Sequence, residues 1–416
     1  MNKKTLHILL LFLCLIMLAT QSSLAALDAE AIGIGADFST LTGESAYYSN
    51  PAGLSLRDNN FTIKANFGFS IWNNVFKNDE FSDEDFTAKL SDEDLLVGGM
   101  AAAGTQIFYK NFTIGINARG EGILTADSDA AGIIAGDEPE IEFESGTDSA
   151  SVTADLGQTA GGAVNLTDLS LSYAREIGTA MTAKSELVEA LYFGATYHYL
   201  EGDIYSYSGG GNITATLLPD GTVTYSSTSS PEFYADRNDS EATGNAFDLG
   251  LLFKLRNNYS LAFSVMNIGK LTADDYYRDG VRYTIVSSST KLEEEDFEGT
   301  VIEDELEYDL PRIVRLGLKL DYSPNTVFYA DYERINYDGG QDENIYSLGS
   351  QFRKTKLIPL RLGINYSTLR ESVELAAGLG ININNSFKID FGIADLLALT
   401  DNAKGVKFGL ATTIKF

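Results

Sequence analysis

The chain ends with residues 404–416, which read KGVKFGLATTIKF. Side chains along a β-strand alternate between its two faces, so Val406, Phe408, Leu410, Ile414 and Phe416 share one face of this segment. The other face carries lysine, glycine, alanine and threonine. A strand of a transmembrane β-barrel requires this pattern, because one face meets lipid and the other meets water. The segment therefore predicts a membrane-spanning strand that ends at Phe416.

The same residues resemble the C-terminal signature of bacterial outer-membrane proteins, which the barrel-assembly machinery reads. The resemblance assigns Phe408, Leu410, Ile414 and Phe416 to this assembly signal, with Thr412 a weak fit at one outward position. It implies a protein of a Gram-negative type outer membrane, in contact with outer-membrane lipid and lipopolysaccharide.

Residues 1–25 have the pattern of a secretory signal peptide. Lys3 and Lys4 form a charged start, residues 6–19 form an apolar core, and Ser23-Leu24-Ala25 supplies small residues before a cleavage site. An uncleaved membrane anchor is the alternative, but the apolar run is shorter than the roughly 20 residues that a spanning helix needs. We expect this segment to be removed during export.

The composition excludes several classes of protein. Cys14 lies in the signal peptide, so the exported chain would have no cysteine for a disulfide or a thiolate metal site. Its one histidine is His198, which excludes zinc sites built from several histidines. The formal net charge of −29 becomes −31 without Lys3 and Lys4, which argues against binding of nucleic acid. Because no Gly-x-Ser-x-Gly elbow is present, we expect neither an enzyme nor a bound cofactor or metal.

Alternating segments like the C-terminal one recur throughout residues 61–416. They number about fourteen, an even number as bacterial barrels require. The segments are 61–72, 96–109, 112–122, 168–175, 191–200, 247–255, 260–268, 312–322, 327–334, 346–352, 360–366, 372–381, 387–393 and 406–416.

The two faces of these segments differ in charge. In 312–322, Leu316 and Leu318 share one face while Arg315 and Lys319 share the other. A lysine or arginine at the bilayer midplane costs about 2–4 kcal/mol, so the charged face must avoid lipid. A soluble β-sandwich also alternates, but the signal peptide and the tyrosines near strand ends on the apolar face favour a barrel. The residues expected in the lumen include Trp72, His198, Arg315, Lys319, Asp331 and Arg361. Their mixed signs suggest ion pairs that close the lumen, although scattered solvated charges would give the same pattern.

The connections between segments fit the same topology. Long connections at 73–94, 124–167, 202–246 and 269–311 fall at one end of the barrel and tight turns fall at the other, as expected when both termini are periplasmic. The acidic runs at 79–85 and 293–298 could bind divalent cations that bridge lipopolysaccharide phosphates, but solvated surface charge is the simpler interpretation. Segments 212–217 and 222–226, around Asp220-Gly221, predict a hairpin inside one connection.

Residues 26–60 do not alternate, and their small and mixed composition suits a plug folded inside the barrel. Pro51 fixes its own φ and favours an extended Asn50, while Gly53 permits a turn that other residues could not adopt. A plain turn into the first strand is the alternative. The predicted organisation is thus all-β: a signal peptide (1–25), a plug (26–60) and a transmembrane antiparallel β-barrel (61–416) with long acidic extracellular loops.

The plug segment resembles the N-terminal signature of the FadL-like superfamily of outer-membrane barrels, in which Gly-Gly-Ala precedes Ser-Ala-x-x-x-Asn-Pro-Ala-Gly-Leu. The matching residues are Gly35, Ala36, Ser45, Ala46, Asn50, Pro51, Ala52, Gly53 and Leu54. The chain departs from the signature at Ile34, where glycine is usual, and at Glu44, where aspartate is common. The superfamily includes fatty acid and hydrocarbon transporters, PorV-like secretion proteins and TraF-like conjugal transfer proteins. The resemblance implies an N-terminal plug and a strand number equal to the count above.

Two functions follow from the resemblance. The favoured one is passage of hydrophobic small molecules, of the fatty acid or hydrocarbon class, across the outer membrane. Apolar residues expected to line such a path are Phe38, Leu41, Tyr47, Tyr48, Leu54 and Trp72. The alternative is a non-transporting component of a secretion or conjugal-transfer system, which would hold a protein partner. A surface esterase lacks a motif, and a general porin is disfavoured because a plug occludes the lumen.

Overall fold

The computed structural model describes residues 28–75, 94–128, 150–155, 159–178, 182, 185–286, 292–337, 340–355, 357–383, 386–396 and 404–416. The expected signal peptide and the acidic run at 79–85 lie outside these ranges. Within them, no helix combines the length and the apolar character needed to cross a membrane.

The chain begins with three short helical elements and continues almost entirely as strands. The helical elements are α1 (Ala29–Ile34) and the 3-10 helices η1 (Gly43–Ala46) and η2 (Pro51–Leu56). The strands are β1 (Phe61–Asn73), β2 (Leu95–Tyr109), β3 (Phe112–Ala126), β4 (Ala150–Asp155), β5 (Ala160–Ile177), β6 (Val188–Gly210), β7 (Asn212–Leu217), β8 (Val223–Ser226), β9 (Glu232–Asn238), β10 (Ala242–Leu255), β11 (Tyr259–Ala273), β12 (Tyr276–Ile285), β13 (Leu292–Ile302), β14 (Leu306–Asp309), β15 (Arg312–Ser323), β16 (Thr326–Asn336), β17 (Asp342–Phe352), β18 (Leu360–Ser367), β19 (Ser372–Ile383), β20 (Phe387–Ala394) and β21 (Gly405–Lys415).

The barrel is a closed antiparallel cylinder of 14 strands, which confirms the predicted fold. Its strands are β1, β2, β3, β5, β6, β10, β11 and β15 to β21, and each pairs with the next in this order. The first and last strands close it, in register from Thr62↔Lys415 to Trp72↔Gly405. At this seam the rings of Phe61 and Phe416 lie 5.3 Å apart. The closed circuit leaves no unpaired strand edge in the wall, as a membrane-spanning sheet requires.

The inner and outer faces of the wall divide as the sequence predicts. On β15, Leu316 is 51% exposed and Leu318 is 42% exposed, whereas Arg315 is fully buried in the interior. The same division holds at the seam, where Leu410 and Ile414 are exposed on the outside and Thr413 is buried inside. An apolar outer band around a polar interior is the arrangement that a bilayer selects.

The connections at 202–246 and 269–311 were expected to be loops, and this expectation is wrong. Strand β9 pairs with both β6 and β12, and β12 pairs with β13, so a sheet continues beyond the rim of the barrel. Arg278 of β12 donates two hydrogen bonds of 2.7 Å to Asp236 of β9 and lies 4.6 Å from the ring centre of Tyr234. The acidic run at 293–298 lies in β13. These strands extend beyond the barrel wall, so their sequence need not carry a lipid-facing side and gives little alternation to detect.

The hairpin predicted around Asp220-Gly221 is present. Strands β7 and β8 pair from Thr214↔Ser226 to Leu217↔Val223, and Gly221 adopts a φ of 83° in the connecting turn. Strand β4 adds to β7 to give a separate three-stranded sheet.

The barrel has a turn end, where Phe61 and Phe416 lie, and a rim end, from which the long connections emerge. Near the rim, part of the interior is filled by an apolar cluster from β5, β6, β10, β11, β12 and β14 and the residue after β14. Its members are Val164, Leu166, Leu200, Ile204, Ala242, Ala246, Leu271, Ala273, Tyr276, Leu306, Tyr308 and Leu310. Residues 28–60 (the plug) fold inside the barrel: α1 contacts β17 to β21 and β1, while η2 contacts β5, β6 and β10.

Candidate functional site: the plug and the cavity above it

The helix that opens the plug is defined at both ends by its own residues. The Asp28 carboxylate accepts a 2.8 Å hydrogen bond from the Glu30 amide and so caps the first turn. Gly35 ends the helix with a φ of 110°, and its amide donates to the carbonyls of Ala31 and Ile32. This left-handed conformation favours glycine. Asn365 of the wall donates a 2.7 Å hydrogen bond to the Gly35 carbonyl, which ties the helix end to β18.

Asn50 joins three parts of the structure and is completely buried. Its Oδ1 accepts from the Ala52 amide at 3.0 Å, which caps η2. Its Nδ2 donates to the carbonyl of Ser39 at 2.9 Å and to that of Leu251 in β10 at 3.0 Å. Pro51 occupies the first turn of η2, where its missing N–H is no loss. The Asn-Pro pair therefore folds the plug and binds it to the wall.

The remaining motif residues pack the plug against itself. A Cβ added at Gly53 would overlap the Leu41 carbonyl and lie 2.6 Å from the Cβ of Ala46, so only glycine fits. Ser45 donates a 2.9 Å hydrogen bond to Glu30. Ala46 and Leu54 belong to a buried cluster with Phe108 of β2, and Ala52 packs in another cluster with Leu252 of β10.

A belt of inward-facing wall glycines surrounds the plug. At each of these positions an added Cβ would overlap or crowd a plug atom: Gly115, Gly194, Gly250, Gly317, Gly349, Gly363, Gly378, Gly392 and Gly409. At Gly378, for example, the added Cβ would lie 2.6 Å from the Cα of Gly33 in α1. Plug and wall thus approach to backbone contact, which leaves no room for a side chain between them. We call these residues the glycine belt.

Buried ion pairs hold the helical part of the plug to the wall. Glu30 lies 2.6 Å from the Lys388 amino group and 3.3 Å from the Arg361 guanidinium. Both cations also pair with Asp390, at 2.9 and 2.8 Å. Asp28 pairs with Lys64 of β1, and both side chains are almost fully buried. Because each member has an opposite charge beside it, the desolvation of these groups is compensated.

Two plug carboxyls titrate differently because their surroundings differ. Burial alone would raise the pKa of the Glu30 carboxyl, but Arg361, Lys388 and Lys64 together hold that pKa well below its ordinary value. For Asp37, burial dominates and raises the pKa of the carboxyl to about 7. Its nearest cation, Arg315, lies 3.8 Å away and is shared with Glu333. Glu30 is therefore a fixed anion, whereas the charge of Asp37 is only weakly compensated.

His198 belongs to a polar network beside the plug. Its two ring nitrogens lie 2.9 Å from Asp168 and 2.9 Å from Asp248. Asn117 connects Asp168 to Tyr47 of the plug, donating to the Tyr47 hydroxyl at 3.0 Å. With both nitrogens bound to carboxylates, His198 is held in place and has no free nitrogen to activate a nucleophile.

A cavity lies between the plug and the rim. Residues 35–37 form part of its floor. One part of its lining is apolar: Trp72, Met100, Ile123, Ile313, Ile335 and Ile345. The other part is charged: Asp37, Asp331, Glu333, Glu343, Glu374, Arg370 and Lys407. The guanidinium of Arg370 lies 5.4 Å from the ring centre of Trp72 and bonds Glu343 and Glu374. The cavity is thus a mixed apolar and acidic pocket.

The predicted lumen residues are distributed over the interior and do not form one site. Trp72 and Asp331 line the cavity, and Arg315 is buried beside Asp37. Arg361 lies in the ion-pair network of Glu30, and His198 lies in the network beside Tyr47. Lys319 lies near the turn end, 3.2 Å from Asp321. Ala36 lines the floor of the cavity, next to Gly35.

The apolar path predicted from the sequence is only partly present. Trp72 does line the cavity. Phe38 and Leu41 instead pack against Val327 and Tyr329 of the wall, while Tyr47, Tyr48 and Leu54 pack around Phe108. These apolar side chains of the plug are used in packing against the wall and do not line the cavity.

The sequence analysis missed the glycine belt and three charged residues of the cavity, Asp37, Glu343 and Arg370. The signal for the belt was present, since glycine recurs at inward positions of most strands, but alternation alone gives no reason for it. Glu343, Arg370 and Asp37 lie at strand ends or in the plug, where alternation does not apply.

Comparisons with known proteins agree with the architecture. No protein-family model matches the chain, and no curated protein sequence matches it significantly. Among solved structures, the toluene transporter TbuX of Ralstonia pickettii aligns with a TM-score of 0.52 at 12% identity, over 92% of this chain and 98% of that one. The fold is that of the FadL-like barrels. The toluene transporter TodX of Pseudomonas putida gives 0.50 at 13% identity, over 95% of this chain and 98% of that one. A Pseudomonas aeruginosa FadL homologue gives 0.50 at 11% identity, over 94% and 97%.

Proposed function

We propose that this protein lies in the bacterial outer membrane and passes small, largely apolar molecules through its barrel towards the periplasm. The apolar outer band supports the location, with the rim end outside and the turn end in the periplasm. The structural relatives support the substrate class, since their names describe a toluene transporter, a monoaromatic hydrocarbon channel and a FadL homologue.

The single observation that carries the proposal is the partly apolar cavity above the plug. A general pore would have an open, polar lumen, whereas residues 28–60 pack across the inside of this barrel and a pocket remains on the rim side. Concave sites with apolar walls and a few polar groups are the usual binding sites for small molecules. The plug then has two roles: it forms the floor of the binding site and blocks the flow of water and ions.

Passage requires the plug to shift, because its backbone contacts the glycine belt directly. The part of the plug nearest the cavity, around Asp37, is the least compensated electrostatically, since Arg315 is shared with Glu333. The helical part is fixed by Glu30 and Asp28. We therefore expect movement to begin at residues 35–39 while α1 stays in place.

Uptake of radiolabelled toluene by cells that express the protein tests this proposal. Ile345 faces the cavity, so Ile345→Trp should fill the pocket and bring uptake down towards that of cells with an empty vector. Leu348→Trp is the matched control, because Leu348 lies on the same strand with 61% of its surface exposed on the outer face. Equal uptake by the wild type, Ile345→Trp and the empty vector would rule out transport of this class.

A second candidate is a non-transporting component that binds a protein partner. The plug's backbone contacts with the wall favour a barrel that stays closed, and the sheet of β9, β12 and β13 beyond the rim offers a surface outside the membrane. This candidate predicts co-purification of a stoichiometric partner in mild detergent. Isolation of the protein alone from its native membrane would argue against it.

A further inference from the structure

Two carboxyl groups at the base of the cavity have an oxygen without a partner. Asp37 is 6% exposed and Asp331 is 9% exposed, and both line the cavity. Asp331 Oδ2 accepts from the amide and the hydroxyl of Ser39 at 2.8 and 2.7 Å, and Asp37 Oδ2 lies 3.8 Å from Arg315. In the described part of the chain, the Oδ1 atoms of both residues accept no hydrogen bond. A buried acceptor left in this state destabilises the protein unless a ligand or a water molecule supplies a donor.

The charges around these oxygens do not balance. Carboxylates in the lining are Asp37, Asp331, Glu333, Glu343 and Glu374, against the cations Arg370 and Lys407. Arg370 is occupied by Glu343 and Glu374, and Arg315, which lies behind the lining, bonds Glu333. Lys407 is then the one lining cation left for both Asp37 and Asp331. Even with Arg315 counted, acidic groups are in excess, and the cavity should attract a cation.

The chemistry of the lining selects the kind of cation. Carboxylates that hold a metal ion converge in groups, and no cluster of three His, Cys, Asp or Glu side chains suited to a metal occurs in the described residues. Beside the acids, Met100, Ile313, Ile335 and Ile345 form an apolar part of the lining, the isoleucine wall, which would be a poor environment for a hydrated inorganic ion. A primary ammonium has three donors for the two free oxygens, and an attached apolar group would cover the isoleucine wall.

We propose that the cavity recognises a small apolar molecule carrying a primary ammonium group, with the ammonium at Asp37 and Asp331 and the apolar body against the isoleucine wall. This inference rests on the proposed function and narrows its substrate class. A neutral hydrocarbon would use the isoleucine wall but leave both carboxyl oxygens without a donor.

Trp72 provides the readout, because it is the single tryptophan of the chain and lines the cavity. The purified protein in detergent would be titrated with 2-phenylethylamine and with ethylbenzene, two probes of similar shape that differ in the ammonium group, while tryptophan emission is recorded. We expect the amine to bind at least tenfold more tightly than ethylbenzene. Asp37→Asn and Asp331→Asn should each weaken the amine about tenfold or more, as expected for loss of a hydrogen bond to a charged group, and leave ethylbenzene unchanged. Asp321→Asn is the charge-matched control, because Asp321 points inward near the turn end and does not line the cavity.

The outcomes separate this inference from the proposed function. Equal affinity for the two probes in the wild type, or an amine affinity unaffected by both variants, overturns the inference and leaves hydrocarbon transport standing. Displacement of the amine by millimolar Ca²⁺ but not by a second organic amine also overturns it, since the carboxylates would then form an inorganic cation site. Saturable binding of neither probe would contradict both proposals. Asp331→Asn keeps the test decisive if Asp37→Asn fails to fold. Lys407→Met should strengthen amine binding, because it removes the lysine that competes with the ammonium for the two carboxylates.

Discussion

The glycine belt gives the sharpest prediction, because it can be tested with single methyl groups. A methyl at Gly378 would lie 2.6 Å from the Cα of Gly33, so the two backbones must separate by about 0.4 Å to reach the 3.0 Å below which such contacts are essentially never seen. A methyl at Gly363 would overlap the carbonyl group of Ile34 and also crowd Gly35. Overpacking of this kind destabilises a core by about 1–3 kcal/mol. We expect Gly378→Ala near the lower end of that range and Gly363→Ala at or above the upper end.

Gly210→Ala is the matched control, since Gly210 ends a barrel strand and no atom lies within 4 Å of an added Cβ. It should be neutral or slightly stabilising, because alanine lowers the entropy of the unfolded chain.

Release of the plug can be followed by maleimide labelling in an Ala31→Cys background, because Ala31 is fully buried in α1 and the chain has no other cysteine after Cys14. The labelling rate should rise in the order Gly210→Ala, Gly378→Ala, Gly363→Ala, and thermal unfolding in detergent should follow the same order. Equal labelling rates in all three variants would refute backbone contact between plug and wall.

Three further predictions concern the polar contacts of the plug. Lys64→Met leaves Asp28 buried without its partner and should destabilise the protein by about 3–5 kcal/mol. The double variant Lys64→Met/Asp28→Asn keeps the cap of α1 and should recover much of this loss in thermal melts. A double variant as unstable as the single variant would contradict the ion pair. Asn50→Ala removes the donor shared by Ser39 and Leu251 and should cost about 1–3 kcal/mol per carbonyl left unpaired, whereas a melting temperature equal to wild type would show that Asn50 does not hold the plug. Because burial raises the pKa of the Asp37 carboxyl to about 7, its contribution to stability is full at pH values below its ordinary pKa, falls as the pH rises towards 7 and stays lost above it. The melting temperature in detergent should therefore fall between about pH 4 and pH 7 and level off above neutral pH. Asp37→Asn should remove that fall, and a pH response that survives this substitution would assign it to another group.

The sequence predicts the barrel well because lipid imposes a simple rule on each strand. Leu316 must face outward and Arg315 inward whatever their neighbours are, so alternation gives the number of strands and their facing residues. The same rule fails beyond the rim, where β9, β12 and β13 carry no regular apolar face and were expected to be loops.

The candidate site is less predictable, because its parts come from distant positions in the chain. The Asn50-Pro51 motif marks the plug, but nothing in the sequence pairs Asn50 with Leu251 or Gly33 with Gly378. The mixed signs of the lumen charges suggested ion pairs, and pairs such as Arg361 with Asp390 are present. The partners that the plug supplies, Asp28, Glu30 and Asp37, could not be assigned without the fold.

The central claim is that residues 28–60 close the barrel below a binding cavity on the rim side. Ion conductance of the purified protein in a planar bilayer tests it most directly. The structure predicts that the wild type carries no steady current and that Gly363→Ala, by displacing the plug, opens measurable conductance. A steady, porin-like current through the wild type would contradict the closed lumen and, with it, the cavity as the site where a substrate binds.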